Sequence, residues 1–94
     1  MFLAALLFTI AEVNGLGQET AQGLNLTESF YWDLNDRTRA FTKRLLAQKP
    51  KQYPNMVQAG CYGVTMHYLK AVASLGVAAA KADGRAAVAR MKEL

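Results

Sequence analysis

The first eleven residues, Met1-Phe2-Leu3-Ala4-Ala5-Leu6-Leu7-Phe8-Thr9-Ile10-Ala11, carry no charge and only one hydroxyl, that of Thr9. Few structures accept such a run. It has about half the ~20 residues that a helix needs to cross a bilayer. As a secretory leader it wants two features: a Lys or Arg ahead of the apolar stretch, and a small-x-small cleavage pattern before Glu12 and Asn14. What remains is a strand buried on both faces, rich in Leu and Phe and closed by Thr9 and Ile10. Continuous apolar strands belong to parallel sheets covered by helices. On this reading the chain opens directly on a core element, and its fold class is α/β.

Composition narrows the rest. A chain of 94 residues makes one small domain at most, or part of one. Its 52% apolar and 19% charged residues exclude a disordered chain. A single cysteine, Cys61, excludes a disulfide framework and a cysteine-rich zinc site. The charge is divided unevenly. Residues 1–36 hold Glu12, Glu19, Glu28, Asp33 and Asp36 and no Lys or Arg, whereas residues 37–94 hold all 11 basic residues beside Asp83 and Glu93. A basic half can serve nucleic acid or an anionic membrane. Here the basic residues are spread along apparent helices, which favours solvated faces partly balanced by the acidic half.

Turn and cap signals divide the chain. Asn14-Gly15-Leu16-Gly17 reads as a turn, Gln18–Gln22 as a short helical turn stopped by Gly23, and Leu24–Tyr31 as a second strand. The interval from Thr9 to Leu24 is then a short crossover between parallel strands. Either Asp33 or Asn35 can cap a helix that Asp36 complements and that runs to Gln48, with Thr38, Phe41 and Leu45 on its inner face. Pro50 and Pro54 bracket a connector. A long helix follows over Met56–Leu75, with Ala59, Tyr62, Met66, Leu69 and Ala73 as its packing stripe and Gly60 and Gly63 on a close-packed neighbouring face. Gly76 is a natural stop. Asp83 is the N-cap candidate for a last helix lined by Val88, Met91 and Leu94.

The chemistry-bearing residues point away from catalysis and from any cofactor. Gly15-x-Gly17 lacks the third glycine of a dinucleotide fingerprint and the Lys-Ser/Thr of a phosphate loop. His67, the only histidine, has no Cys or carboxylate at ligand spacing, so a packed or half-exposed role is expected and no metal. Cys61 lies six residues away on the same helix, too far round to pair with it, and reads as a small buried side chain. Asp33 and Asp36 are explained by capping. Glu12 is placed just past an apolar strand, where α/β folds put ligand-contacting groups. Phe30-Tyr31-Trp32 exceeds what one strand face needs. Core packing and a binding cleft both account for these positions.

These residues also carry a family likeness. The run Leu24-Asn25-Leu26-Thr27-Glu28-Ser29-Phe30-Tyr31-Trp32-Asp33-Leu34-Asn35-Asp36 resembles a stretch of the substrate-binding proteins of ABC transporters, of the branched-chain amino-acid (type I periplasmic binding protein) kind. Thr38-Arg39-Ala40-Phe41, Met56-Val57-Gln58-Ala59-Gly60 with Tyr62, and His67-Tyr68-Leu69-Lys70-Ala71-Val72 continue the likeness in order, and Phe8-Thr9-Ile10, Val13 and Gly15-Leu16-Gly17 precede it. The resemblance spans essentially the whole chain.

It implies a non-enzymatic solute receptor of an ABC importer, two-lobed and several times longer than this chain, so that these residues form a fragment. Residues 1–30 correspond to strand–crossover–strand of the second lobe, 31–36 to the segment crossing the hinge, and 37–94 to a helical segment partly in the first lobe. The implied setting is the periplasm, the implied partners a membrane permease and a small solute, an amino acid or related acid or amide, with no cofactor and no nucleic acid. Glu12 is the best match to the acidic residue that meets a ligand's amino group, at a point where relatives usually have Asp, while Asn14 departs from a His common nearby. Val57 and Gln58 match the segment that lays a side chain against the ligand, and Tyr31 and Trp32 are placed to wall the cleft. A cleft needs both lobes, so the chain alone is not expected to bind solute with useful affinity. The contrasting reading is a small basic protein that binds nucleic acid or anionic membrane.

Overall fold

A computed structural model describes residues 3–94. Seven elements follow in order: β1 (Leu3–Ala5), α1 (Ile10–Leu16), β2 (Leu24–Leu26), α2 (Asp36–Gln48), α3 (Met56–Leu75), α4 (Val77–Ala82) and α5 (Gly84–Met91). Mixed helix and strand agree with the α/β class. The chain forms two compact units, one up to Ala59 and one from Gly60.

In the first unit β1 and β2 pair in parallel, Leu3 with Leu24, Ala4 with Asn25 and Ala5 with Leu26. The expected crossover between parallel strands is there, but the strands are shorter than the sequence reading had them. Of the strand expected up to Ile10, Met1 and Phe2 lie outside the described residues, and β1 ends at Ala5. Thr9 is the reason. Its backbone is extended, its Oγ1 accepts from the Ala11 amide, and Glu12 returns a carboxylate to the Thr9 amide, a capping box that starts α1 at Ile10. Nor is the apolar run buried: Leu6 and Leu7 are 94% and 88% exposed.

Asn14, Gly15 and Leu16 belong to α1 rather than to a turn, and the chain leaves the helix at Gly17 (φ 85°), a backbone angle that glycine adopts without penalty. Residues 18–23 form turns, and β2 stops at Leu26 instead of continuing to Tyr31. Beyond it Glu28 turns back, its Oε1 accepting from the Ile10 amide at 3.0 Å. That bond ties the loop after β2 to the start of α1.

The second helix begins as its sequence dictates. Asn35 Oδ1 accepts from the Arg37 and Thr38 amides, and Thr38 Oγ1 accepts from the Asn35 amide. Of the two cap candidates, Asn35 is the one used. Thr38, Phe41 and Leu45 are half-buried as expected, and Thr42 between them is buried. Its hydroxyl donates to the Thr38 carbonyl at 2.9 Å. Phe30 and Phe41 meet edge to face with ring centroids 5.9 Å apart. After Pro50, Lys51 takes φ 69°, the one positive-φ residue other than glycine among those described, a conformation costing about 1 kcal/mol. Pro54 is fully buried.

The second unit is built on alanines. Ala71 of α3, Ala80 of α4 and Ala87 of α5 are its buried apolar residues, one per helix. Gly76 (φ 89°) closes α3 by donating to the Val72 carbonyl. Asp83 caps α5 by accepting from the Arg85 amide at 2.9 Å, as the sequence indicates.

The packed face of α3 is not the one expected. Tyr62, Met66, Leu69 and Ala73 are exposed, whereas His67, Ala71 and Leu75, spaced by four, turn inward. This helix is apolar nearly all round, so its pattern leaves the buried stripe undetermined. A Cβ added at Gly60 or Gly63 would meet no atom within 4 Å, so none of the described elements packs closely there. Cys61, expected to be buried, is exposed on the same helix. Among the described residues, no helix is long and apolar enough to cross a membrane.

Candidate binding site

The starts of α1 and α3 come together in the first unit. Asn55 caps α3: its Oδ1 accepts from the Val57 and Gln58 amides at 3.1 Å each, and Gln58 Oε1 accepts from the Asn55 amide at 3.0 Å. Its Nδ2 reaches Thr9 Oγ1, the cap of α1, at 3.4 Å. One threonine hydroxyl therefore links two helix starts that lie 46 positions apart in sequence.

A recess of about 350 Å³ opens beside this junction, lined by Ala11, Asn14, Lys51, Gln52, Tyr53, Asn55 and Gln58. Its polar equipment is four carboxamides, one ammonium and one phenol. No carboxylate is among its lining residues. Such groups donate and accept hydrogen bonds toward uncharged polar solutes, and Lys51 adds a single positive charge. Gln58 spends its Oε1 on the helix cap.

The expected site residues are distributed unevenly around this recess. Gln58 lines it. Val57, its neighbour, is 57% exposed and does not. Glu12 sits in the first turn of α1, one residue after Ala11, rather than just past a strand. Its Oε2 accepts from both the Thr9 amide and the Thr9 hydroxyl at 2.6 Å. The hydroxyl bond first, then the amide bond, hold its carboxyl below the ordinary glutamate range.

Trp32 lies over Tyr53 with centroids 4.7 Å apart, and Tyr31 tilts against Trp32 at 5.8 Å. Trp32 lines a separate recess of about 300 Å³ with Arg39, Thr42, Lys43, Leu46 and Tyr53. Tyr53 is the side chain common to both recesses. In the second, Arg39 is held by Asp36 at 2.7 Å and by Asp33 at 3.0 Å, which raise its pKa further and fix its fork.

The sequence did not single out Lys51, Gln52, Tyr53 and Asn55 as site residues, and it placed Asn14 in a turn and as a departure from the family pattern. The bracketing prolines made Lys51–Pro54 look like a bare connector. The available signal was Asn55-x-x-Gln58, a capping pair that fixes where α3 begins and so which residues stand at its mouth. Elsewhere, His67 is half-buried with Nε2 2.8 Å from the Met91 carbonyl, so the tautomer that makes this bond carries its proton on Nε2. Among the described residues no group of three or more His, Cys, Asp and Glu is placed to hold a metal ion.

The family model described as "Periplasmic binding protein" matches residues 1–94. This chain belongs to the periplasmic binding protein family. The match agrees with the type I, branched-chain kind that the sequence resembles. No curated protein and no solved structure matches it. Periplasmic binding proteins of this family bind solutes and are not enzymes, so a recess furnished with hydrogen-bonding groups is the feature to weigh.

Proposed function

We propose that the chain furnishes part of the solute cleft of an ABC-importer receptor in the periplasm, delivering an amino acid or a related small acid or amide to a membrane permease. The observation that carries the reading is the composition of the 350 Å³ recess. Ala11 and Asn14 come from the stretch 1–30 that resembles the second lobe. Lys51 to Gln58 come from the stretch 37–94 that resembles the return to the first, with 31–36 crossing between them. A recess lined from both stretches is what a cleft closed by hinge motion requires.

In this mechanism the solute stabilises the closed state because it touches both sides at once, and its affinity is the sum of contacts that only the closed state completes. Gln58, Asn55 and Asn14 supply neutral hydrogen bonds, Tyr53 an aromatic wall, and Trp32 supports Tyr53 from behind. Val57, Tyr31 and Glu12 stand one step back, Glu12 by fixing the start of α1.

The test is titration of the chain with amino acids, their amides and small carboxylic acids, read by calorimetry and by NMR. No micromolar heat is expected from the chain alone, while millimolar solute shifts the side-chain amides of Asn14, Asn55 and Gln58. Micromolar binding of any amino acid would show that the site needs no further lobe. Undisturbed recess amides with every solute would remove the site itself.

A further inference from the structure

Resting on that reading of the recess, we infer that this part of the cleft receives a carboxylate or carboxamide end of the solute and not a cationic amino group. The lining holds one ammonium, Lys51, and the carboxamides of Asn14, Gln52, Asn55 and Gln58, with no carboxylate among them. An α-amino acid brings an ammonium that loses water on binding and needs an anionic or well-aligned acceptor in return. Two carboxylates of the first unit each turn an oxygen to the start of α1. Glu12 directs Oε2 at the amide and hydroxyl of Thr9, and Glu28 directs Oε1 at the Ile10 amide. Both serve the start of α1, and neither lines the recess.

The opposite charge is well provided for. Lys51 makes no ion pair among the described residues, so its ammonium is free for an anionic head group. It also holds a left-handed backbone at φ 69°, and residues kept in such sparsely populated conformations gather at ligand sites. The Val57 and Gln58 amides at the start of α3 are not the anion's partners, because Asn55 Oδ1 already takes them. The acid's negative charge therefore falls to Lys51, and its remaining acceptors to the NH2 groups of the carboxamides. A carboxamide solute fits the same groups without the charge.

The experiment is an NMR titration of the whole chain with four probes that share an unbranched four-carbon skeleton: butanoate, butanamide, butylamine and 2-aminobutanoate. Butanoate and butanamide are expected to shift the side-chain amides of Asn14, Asn55 and Gln58, with butylamine leaving them in place. In Lys51→Met the butanoate response weakens by about two- to fivefold, the range expected of an exposed charge pair, while the butanamide response persists. Lys51→Arg retains both. A stronger response to butylamine or 2-aminobutanoate than to butanoate overturns the inference and leaves the solute site standing, as does a butanoate response that Lys51→Met does not change. Amides unmoved by all four probes overturn the solute site together with the inference.

Discussion

At the scale of single residues, Thr9 does the most. It is buried, accepts from the Ala11 amide, donates to Glu12, and receives Asn55 Nδ2 from the start of α3. Thr9→Ala is expected to cost about 1 kcal/mol, the usual worth of an N-cap. Amide exchange would rise in α1 and at Asn55 together; a rise confined to α1 would mean that the Thr9–Asn55 link contributes nothing. Glu12 gives the same cap a pH dependence. Its carboxyl titrates below the ordinary glutamate value of about 4.5 because the Thr9 hydroxyl and amide favour the charged form. The folded state thus gains from Glu12 in full above that pH, and the gain is lost as the pH falls through the lowered value. The α1 amides should lose protection on acidification, and Glu12→Gln should flatten that loss. Thr9-x-x-Glu12 is a readable capping box, but an apolar run on its left hides it. The run argues for a strand, and the cap wins because two hydrogen bonds at 2.6 Å close around one carboxylate oxygen.

At the scale of elements, legibility follows the strength of the end signals. α2 and α3 occupy the ranges their sequences indicate because Asn35 and Asn55 supply caps and Pro50 and Gly76 supply stops. What α3 buries was not legible, since Val57, Tyr62, Val64, Met66 and Leu69 leave no clear polar face from which to infer the apolar one. The structure turns His67, Ala71 and Leu75 inward, and His67 and Ser74 join α3 to α5 through the Met91 carbonyl and Arg90. The two assignments make opposite predictions in urea unfolding. Ala71→Leu inserts volume at a fully buried position and is expected to cost about 1–3 kcal/mol. Leu69→Ala removes a side chain that is 51% exposed and should stay within about 0.5 kcal/mol, as surface substitutions do. The reverse order would restore the stripe read from the sequence. The recess was not legible for a related reason: Ala11 and Asn14 come from one short helix, Lys51, Gln52, Tyr53 and Asn55 from a connector, and Gln58 from the first turn of α3, so no single periodicity points inward.

At the scale of the whole molecule, what is buried is small in volume. Among the described residues the buried apolar side chains are alanines and Pro54, while Leu3, Leu6, Leu7, Tyr62, Val64 and Leu69 each leave about half or more of their surface to water. Burial stabilises by about 25 cal/mol per Å² of apolar surface, and an alanine has little to bury, so cooperative stability has to be modest. Contiguous exposed apolar surface of more than a few hundred Å² is rare on soluble monomers and marks surface that another chain segment or partner covers. The alanine helices and the two-stranded sheet are thus expected to unfold with shallow denaturant dependence, because the slope scales with the surface exposed. The same apolar residues should bind an environment-sensitive dye in the native state, with sedimentation showing association that grows with concentration and weakens in Leu6→Glu/Leu7→Glu. A steep unfolding transition with no dye binding and a monomer at every concentration would mean that these side chains find cover within the chain. The apolar run at residues 1–11 would then be the buried core strand that its composition first announces.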